Sequence, residues 1–541
     1  MNKKKTSLET KIVQTYQEEC THKFYQNIQL DAFNVPEGLK DEVESWDPRN
    51  PVMIDAQTGS GKSTFVREVC IQRALQADKN ALYLINRTMI STQQKKKTME
   101  DIQSPLRQRL TDEGIEAQED FGNIRIITYH KLPQFLNDEK NKEWISKLMY
   151  VFMDEVQFFT SDCMFNEFCG GILNMIPRHF KDCIRIYMTA TSSEVLYPLA
   201  EAERNNYHDY NSLLQYQPER VFIRYVFPRN FESYKLNFFK DYEELQELLK
   251  QSDGHKWLVF VDSKKVGKTL LEEFKEEAKY LDADSKNTKT WKSIVNHEKF
   301  ESRILITTPV LDCGANICDP ALINIAVVTD NKASMLQMIG RKRLTPNEKV
   351  SIWVQNIDKD MAESRYNRYS DLYEWYIRFD NCHGAASRYE LVSELWRTDD
   401  LRLRKMFGIK NGEPFENKLA RITIARRRDF YRRITEGETT FQEEVQRWLN
   451  KEVIAPISAS EKLQCFCKKH SGSPLDKDKC NLLRALIVNA YEEQGFKEAQ
   501  PTRKDNLKAA ALNNRLEMLN FPYRIRHNGE EWFVVNEKLP E

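Results

Sequence analysis

The run Ala56-Gln57-Thr58-Gly59-Ser60-Gly61-Lys62-Ser63-Thr64 carries the residue types that hold a triphosphate. Gly59 and Gly61 let backbone N–H groups approach phosphate oxygens. Lys62 brings a mobile charge to the β- and γ-phosphates, and Ser63 offers a hydroxyl to Mg²⁺. Apolar Val52-Met53-Ile54 precedes the run, and an amphipathic segment from Phe65 to Ala77 follows it. That order is strand, loop, helix, and the helix N-terminus adds its partial positive charge. Further on, the apolar run Leu148–Met153 ends in Asp154-Glu155-Val156-Gln157. An acidic pair at the carboxyl end of a buried parallel strand lies where open α/β sheets bind ligands. The chemistry expected there is Mg²⁺ coordination by Asp154 and polarisation of an attacking water by Glu155.

The theme repeats along the chain. The strand-like run Ile184–Met188 ends in Thr189-Ala190-Thr191, and Lys256–Val261 reads as another strand. Arg303–Thr307 is followed by Thr308-Pro309-Val310-Leu311-Asp312-Cys313-Gly314-Ala315-Asn316, and later by Gln337-Met338-Ile339-Gly340-Arg341-Lys342-Arg343. A glutamine and two arginines in one short segment suit a phosphate faced from across a cleft, because arginine makes planar, bidentate, always-charged contacts.

In order and approximate spacing, this series resembles the superfamily-2 DExx-box (DEAD/DEAH-like) ATP-dependent helicases. The form A-x-x-G-x-G-K-S/T at 56–64 is similar to their first motif, and Asp154-Glu155-Val156-Gln157 to their second. Thr189-Ala190-Thr191, the segment 308–316 and the segment 337–343 are similar to the third, fifth and sixth. Weaker likenesses are Asn86-Arg87-Thr88, Thr128-Tyr129-His130 and Val261-Asp262-Ser263. The resemblance implies ATP and Mg²⁺ as cofactors. It implies catalytic roles for Lys62, Glu155, Gln337, Arg341 and Arg343, nucleotide contacts from residues 56–64, Gly314 and Asn316, and metal contacts from Ser63 and Asp154. Gln157, Thr189 and Thr191 would couple nucleotide state to strand binding, and Arg87, Thr128 and Thr308 would touch the strand. Two departures stand out. The family's last arginine falls where Leu344 stands here, so Arg341 carries over directly and Arg343 sits one place early. The glutamine signature that RNA-directed DEAD-box proteins carry upstream is missing, which leaves adenine recognition unassigned and leans the expected substrate toward DNA.

The resemblance implies a fold of two tandem RecA-like parallel-sheet lobes. The expected divisions are a polar, helical extension at 1–49, lobe one at 50–228, lobe two at 229–357 and a mainly helical accessory region at 358–541. That last region closes with a helix and an Asn528-Gly529 hairpin, either a winged-helix-like module or a hairpin capping the last domain. The 541 residues carry 81 basic and 81 acidic side chains, so any nucleic-acid contact must rest on local patches. One such patch is Arg402 to Arg433, where Arg426, Arg427 and Arg428 adjoin Phe430 and Tyr431. Basic residues with aromatics among them suit phosphate contact plus base stacking. Eleven scattered cysteines read as free thiols. The spacing of Cys465, Cys467, His470 and Cys480 matches no standard zinc pattern. No long apolar run or secretory leader is present, so the cytoplasm is the expected compartment. The functional expectation is an ATP-driven helicase or translocase on nucleic acid. The alternative is a nucleotide-gated clamp that hydrolyses ATP without unwinding and acts through protein partners on 358–541.

Overall fold

Leu82–Ile85 and Tyr150–Met153 are apolar at every position, and each of those side chains is buried. A strand covered on both faces needs such a run, and it belongs in a parallel sheet sandwiched by helices. The computed structural model of the chain describes residues 25–86, 88–101, 112–207, 222–252, 254–285, 288–308, 316–345, 347–398, 401–451, 459–493, 508–519, 521–528 and 531–536.

The first sheet has strands β1 (Tyr25–Gln29), β2 (Val52–Asp55), β3 (Asn80–Ile85), β4 (Ile124–Thr128), β5 (Leu148–Met153), β6 (Ile184–Thr189) and β7 (Phe222–Val226), in the order β1-β7-β2-β6-β5-β3-β4. Every pairing is parallel. The second sheet has β8 (Tyr234–Phe239), β9 (Lys256–Phe260), β10 (Ala278–Leu281), β11 (Ile304–Thr307), β12 (Leu322–Val327) and β13 (Val350–Gln355), in the order β10-β11-β9-β12-β13-β8. It too is parallel throughout. Two parallel-sheet lobes of the RecA-like kind are therefore present. The expected helical extension differs in one part: Tyr25–Gln29 is a strand that pairs with β7 and completes the edge of the first sheet. Alternation in so short a polar segment is a weak signal, and the pairing partner lies far away in sequence.

Helices that matter below are α1 (Thr88–Asp101), α2 (Cys169–His179), α3 (Ser192–Tyr207), α4 (Lys332–Ile339), α5 (Lys359–Asp380), α6 (Ala385–Trp396), α7 (Lys418–Thr435) and α8 (Phe441–Trp448). A short antiparallel pair, β14 (Phe407–Lys410) and β15 (Glu413–Glu416), leads into α7. Two of the helices brace the lobes together. Helix α7 starts at Asn417, whose side chain accepts from Ala420 N at 3.2 Å and donates to Cys163 O of lobe one at 3.0 Å. Its first half buries Leu419, Ala420 and Ile424 in lobe one's apolar core, and its second half buries Tyr431 and Ile434 in that of lobe two. Helix α5 runs the other way, with Ala362 in the lobe-two core and Leu372, Tyr376 and Phe379 in the lobe-one core. A large apolar side chain so buried contributes about 1.5–3 kcal/mol, so neither root detaches easily.

The expected single accessory region is accordingly two things. Residues up to Asn450 form one compact unit with the lobes, and Lys451–Glu541 form another. The second unit contains α9 (Ala459–His470), β16 (Pro474–Leu475), α10 (Lys477–Glu493), α11 (Ala509–Met518), β17 (Tyr523–Asn528) and β18 (Glu531–Asn536), with an antiparallel sheet ordered β16-β18-β17. The chain ends in the expected hairpin, with Asn528 paired to Glu531 and the tip outside the described residues. Cys467 and Cys480 lie in this unit's apolar core, and burial pushes the Cys467 thiol up to about 12. His470 packs against Phe466, and the Cys465 side chain is outside the described residues. No helix among the described residues is long and apolar enough to cross a membrane.

Candidate nucleotide cleft and strand pocket

Strands β2, β6 and β5 are neighbours in the first sheet, so the loops at their carboxyl ends converge. β2 leads into the phosphate loop, β5 into Asp154-Glu155, and β6 ends at Thr189. The loop's form depends on glycine. Gly59 and Gly61 hold φ of 90° and 87°, in the left-handed region that other residues avoid. A helical turn, Lys62–Phe65, starts directly after Gly61 and runs through a π-turn at Val66–Ile71 into Gln72–Gln76. Lys62 Nζ donates back to Ala56 O at 2.8 Å and Gln57 O at 3.1 Å, and burial lowers its pKa from the usual lysine value. The Gln57 side chain is turned to the segment between the lobes. It accepts from Asn230 N at 3.0 Å and donates to Asn230 O at 3.2 Å.

A cleft of about 310 Å³ is lined by Thr58, Gly59, Gly61, Lys62, Ser63, Thr64, Asp154 and Glu155 on lobe one, and by Asn316, Arg341 and Arg343 on lobe two. Tyr83 Oη donates to Asp154 Oδ2 at 2.7 Å, and Glu155 N donates to Oδ1 at 3.0 Å. Burial, with the Glu155 charge beside it, pushes the Asp154 carboxyl up to about 6. Glu155 itself sits at φ 50°, in the left-handed region that few non-glycine residues adopt and that concentrates at functional sites. Gln157 Nε2 donates to Glu155 Oε2 at 2.6 Å, and Gln337 Nε2 reaches the same oxygen from lobe two at 3.3 Å.

Both arginines line the cleft, Arg341, which the sequence put first, and Arg343, but they lie in it differently. A Cβ built on Gly59 would lie 2.6 Å from Arg343 Nη1, so this guanidinium rests on the phosphate loop itself. Arg343 Nε also donates to Asn316 Oδ1 at 2.9 Å. Arg341 lines the same cleft, but its Nε donates to Gln337 O at 3.2 Å. Register in this segment comes from a bridge between Lys342 and Ile317, which alternates the side chains and turns both arginines to one side. That pairing is invisible to motif spacing. Burial and the charge of Arg341 hold Arg343 down to about 10. The lobes meet closely here: a Cβ on Gly340 would lie 2.9 Å from Thr58 Cβ, so only glycine fits.

Sequence reasoning misses Lys97 and Arg67, which also line the cleft. Arg67 Nε pairs with Asp101 at 2.7 Å, and Nη1 donates to Ser63 O at 3.2 Å. Lys97 stands one turn before Asp101 on α1. The Lys95-Lys96-Lys97 run is the signal that could have found it. Gly314 and Arg87 lie outside the described residues.

A second, larger pocket of about 540 Å³ lies between the lobes and α7. Lobe one contributes Gln157, Thr160, Ser193 and Glu194, lobe two contributes Asn331 and Lys332, and α7 contributes Arg426, Arg427 and Arg428. These arginines are neither a free patch nor a solvated face. Arg426 Nη1 donates to Glu194 O of lobe one, and Arg427 Nη1 donates to Asp330 O of lobe two at 2.7 Å. Asp330 also accepts from Arg365 and Tyr431, and the Arg427 and Arg365 cations together with the Tyr431 hydrogen bond hold its carboxyl below the usual range. Arg428 lies over the Tyr373 ring, 5.1 Å from its centroid. Farther along α7, Arg432 and Arg433 pair with Asp429, Glu436, Glu438 and Glu444. Arg427, Arg432 and Arg433 are thus paired with acidic groups, whereas Arg426 is held by a backbone carbonyl and Arg428 lies on an aromatic ring. Thr128 and Thr308 do not line this pocket.

Cleft and pocket are joined by a continuous chain of side chains. Glu155 accepts from Gln157, Gln157 Oε1 accepts from Thr189 Oγ1 at 2.6 Å, and Thr191 N donates to Thr189 Oγ1 at 2.9 Å. Thr191 leads into α3, whose Ser193 and Glu194 line the pocket, as does Gln157 itself. All three coupling candidates therefore belong to one network.

Family models agree with this layout. The model of the type III restriction enzyme res subunit matches residues 10–194, and that of the helicase conserved C-terminal domain matches residues 240–345. No curated protein matches the chain. Among solved structures it is similar to the DUF1998 helicase MrfA bound to DNA, at 14% identity over 75% of this chain and 61% of that one, with a TM-score of 0.44. It is similar to the DEAD-box helicase Mss116 bound to ssRNA and UDP-BeF, at 14% identity over 82% and 97%, with a TM-score of 0.43. A third is the Mycobacterium smegmatis helicase Lhr bound to ssDNA and AMP-PNP, at 12% identity over 92% and 60%, with a TM-score of 0.41. The chain spans 48% of the MrfA chain bound to DNA and AMPPNP. Likenesses this distant say nothing of what this chain binds. With one family model on each lobe and the two together spanning more than half of its length, the chain belongs to the superfamily-2 helicases.

Proposed function

We propose that the protein hydrolyses ATP in the cleft between its lobes and uses the cycle to move along, or separate, nucleic-acid strands held in the pocket under α7. The observation that carries this reading is Gln157, whose side chain holds Glu155 on one side and lines the pocket on the other. On this reading Gln157 carries a change at either site to the other.

The cleft fits a polyphosphate. Lys62, Arg341 and Arg343 are brought together there; burial and the charge of Arg341 lower the Arg343 pKa, and a polyanion would relieve that repulsion. The raised pKa of Asp154 is likewise what a divalent cation beside it would reverse. Ser63 and Asp154 would hold Mg²⁺, which would offset charge on the β- and γ-phosphate oxygens when bound. Glu155, oriented by Gln157 and Gln337, draws a proton from the attacking water. Arg343 and Arg341 stabilise charge on the transferring phosphoryl group, and Lys62 leaves its backbone carbonyls for the phosphates. Lys97 faces the same cleft from α1 and adds a contact to the terminal phosphate. Lys97→Ala is expected to raise the KM for ATP roughly 3- to 10-fold with kcat within about 2-fold, the sign of uniform binding. Steady-state ATPase kinetics read this, and a fall in kcat at constant KM would remove Lys97 from the phosphate.

On this reading the helix–strand–helix–helix–strand–strand order of 451–541 is a winged-helix module that adds a further nucleic-acid contact. The reading is tested by ATPase rates with single-stranded DNA, duplex DNA, RNA and no nucleic acid, alongside strand displacement. Stimulation by one of them is expected, and equal rates in all four arms would end the reading. The brace of α5 and α7, rooted in both lobes, favours the second reading of a clamp that cycles ATP without unwinding. Stimulated ATPase with no strand displacement or translocation is the result that would select it.

Because Arg426 and Arg427 already bridge the lobes, Arg426→Ala/Arg427→Ala/Arg428→Ala should do more than weaken binding. Affinity is expected to fall, and the slope of log K against log salt to flatten by roughly one unit for each phosphate no longer neutralised. Stimulation of ATPase should fall even with nucleic acid at saturation, because the bridging hydrogen bonds go with the binding ones. Fluorescence anisotropy across a salt series, with ATPase at saturating strand, separates the two effects.

A further inference from the structure

Between the helical turn Phe158–Ser161 and α2, the loop 162–168 exposes two aromatic side chains. Phe165 is 73% exposed and Phe168 65%, more than any other large apolar side chain among the described residues. The loop is not a loose tip. Phe165 N and Asn166 N both donate to Asp162 O at 2.9 Å, and Asn166 Oδ1 accepts from Phe168 N at 3.0 Å. Asn166 Nδ2 lies 3.4 Å from His130 Nδ1, next to the end of β4. Cys163 and Cys169 are buried at the two feet of the loop, and Met164 packs on the lobe-one core. Asn417 of α7 donates to Cys163 O, Thr423 of α7 donates to Thr160 O at 3.3 Å, and Glu167 pairs with Lys405 at 3.5 Å. A segment so pinned, hiding its sulfur-bearing side chains and displaying two phenyl rings three residues apart, holds those rings in water at a hydrophobic cost.

The loop is continuous with the strand pocket. Gln157, Thr160 and Ser161 line the pocket, and the chain passes straight from Ser161 into the loop. Across the pocket stand Arg426, Arg427 and Arg428. Phosphates drawn to those arginines leave the bases free to turn outward, and an aromatic face beside a basic groove is how proteins grip single strands without reading sequence. The acidic neighbours are Asp162, which accepts from Ser161 Oγ at 2.8 Å, and Glu167, which Lys405 offsets.

We propose that Phe165 and Phe168 form a stacking platform for unpaired bases of a single strand running out of the basic pocket. The platform rests on the reading of that pocket as the strand's path. The chain runs from Gln157 through Thr160 and Ser161 of the pocket into the platform, so a base settling on it would load the segment that carries Gln157.

The test is the full-length Phe165→Ala/Phe168→Ala variant with Phe165→Tyr/Phe168→Tyr as the conservative control, both checked for an unchanged thermal melt. The probe is a mixed-sequence single-stranded oligonucleotide carrying 2-aminopurine at successive positions. With the unaltered protein, one or two adjacent positions are expected to change in fluorescence on binding. In the alanine variant that signal should vanish and affinity fall about 10-fold or more, while the salt slope stays the same because every phosphate partner is kept. Tyrosines should restore both. Unaltered signal and affinity in the alanine variant, while the native protein binds the strand, would overturn the platform alone and assign the rings to a protein partner. A native protein that binds no single strand at all would overturn both the platform and the pocket reading beneath it.

Discussion

Glu155→Gln is expected to cut ATP turnover by about 10³-fold or more while leaving nucleotide binding nearly intact. The carboxylate that draws a proton from water is lost, but the shape of the side chain and its place between Gln157 and Gln337 are kept. Asp154→Ala should behave differently. It removes the group expected to hold the metal, leaves Tyr83 Oη without its buried acceptor, and so weakens nucleotide binding itself. Lys62→Ala should abolish turnover together with tight binding. Nucleotide affinity by a fluorescent analogue, set beside single-turnover hydrolysis, distinguishes the three. If Glu155→Gln loses affinity as fully as Asp154→Ala, the two acidic roles are wrongly divided. If hydrolysis persists in Glu155→Gln, the base lies elsewhere.

Arg343→Ala carries the other large effect, a fall of about 10³-fold in turnover with a smaller change in nucleotide affinity. Its guanidinium already rests against Gly59, where the phosphates of a bound nucleotide would be cradled, and Asn316 fixes its direction. Arg341→Ala should fall short of this, since Arg341 Nε is already engaged by Gln337 O. Sequence spacing alone ranks the two the other way. Asn316→Ala is expected to lie between, because it frees the Arg343 side chain without removing its charge. ATPase kinetics on the three variants decide the order. A larger loss in Arg341→Ala than in Arg343→Ala would return the leading role to Arg341. Arg343→Lys is expected to recover little, since a point charge does not reproduce a planar fork that Asn316 orients.

Much of the candidate site is legible in the residues alone. The glycine loop announces itself because a tight approach to phosphate needs φ values that only glycine adopts readily, and Gly59 and Gly61 stand where those values are observed. The strands announce themselves because burial on both faces demands apolar runs, so Leu148–Met153 is readable from its pattern, as is Ile184–Met188 despite Arg185, whose charge Glu203 meets inside the fold. The order of the motifs then implies two lobes. Other features are not readable, and each depends on an interaction between residues distant in sequence. Strand Tyr25–Gln29 exists because β7 offers it an edge. That Arg341 and Arg343 face one cleft follows from a bridge between Lys342 and Ile317, and that Arg343 is the one against Gly59 follows from the meeting of the two lobes. Lys97 reaches the cleft because Asp101, one turn away, is held by Arg67.

The basic stretch shows the division most clearly. Its charge and its aromatics are properties of the sequence, and they correctly mark α7 as unusual. What the sequence cannot hold is the place of each partner: the Asp330 carboxylate lies about a hundred residues from Arg427, and the Glu194 carbonyl is farther still from Arg426. Charge along a chain is additive, but its effect depends on which carboxylates and carbonyls the fold brings within hydrogen-bond distance. Local conformational limits and burial impose the phosphate loop, the acidic pair and the two parallel sheets residue by residue, so these belong to the sequence. That α7 ties the lobes together, that Gln157 serves both sites, and that Phe165 and Phe168 stand in the open belong to the tertiary fold. Those facts arise from packing between segments that no local pattern connects.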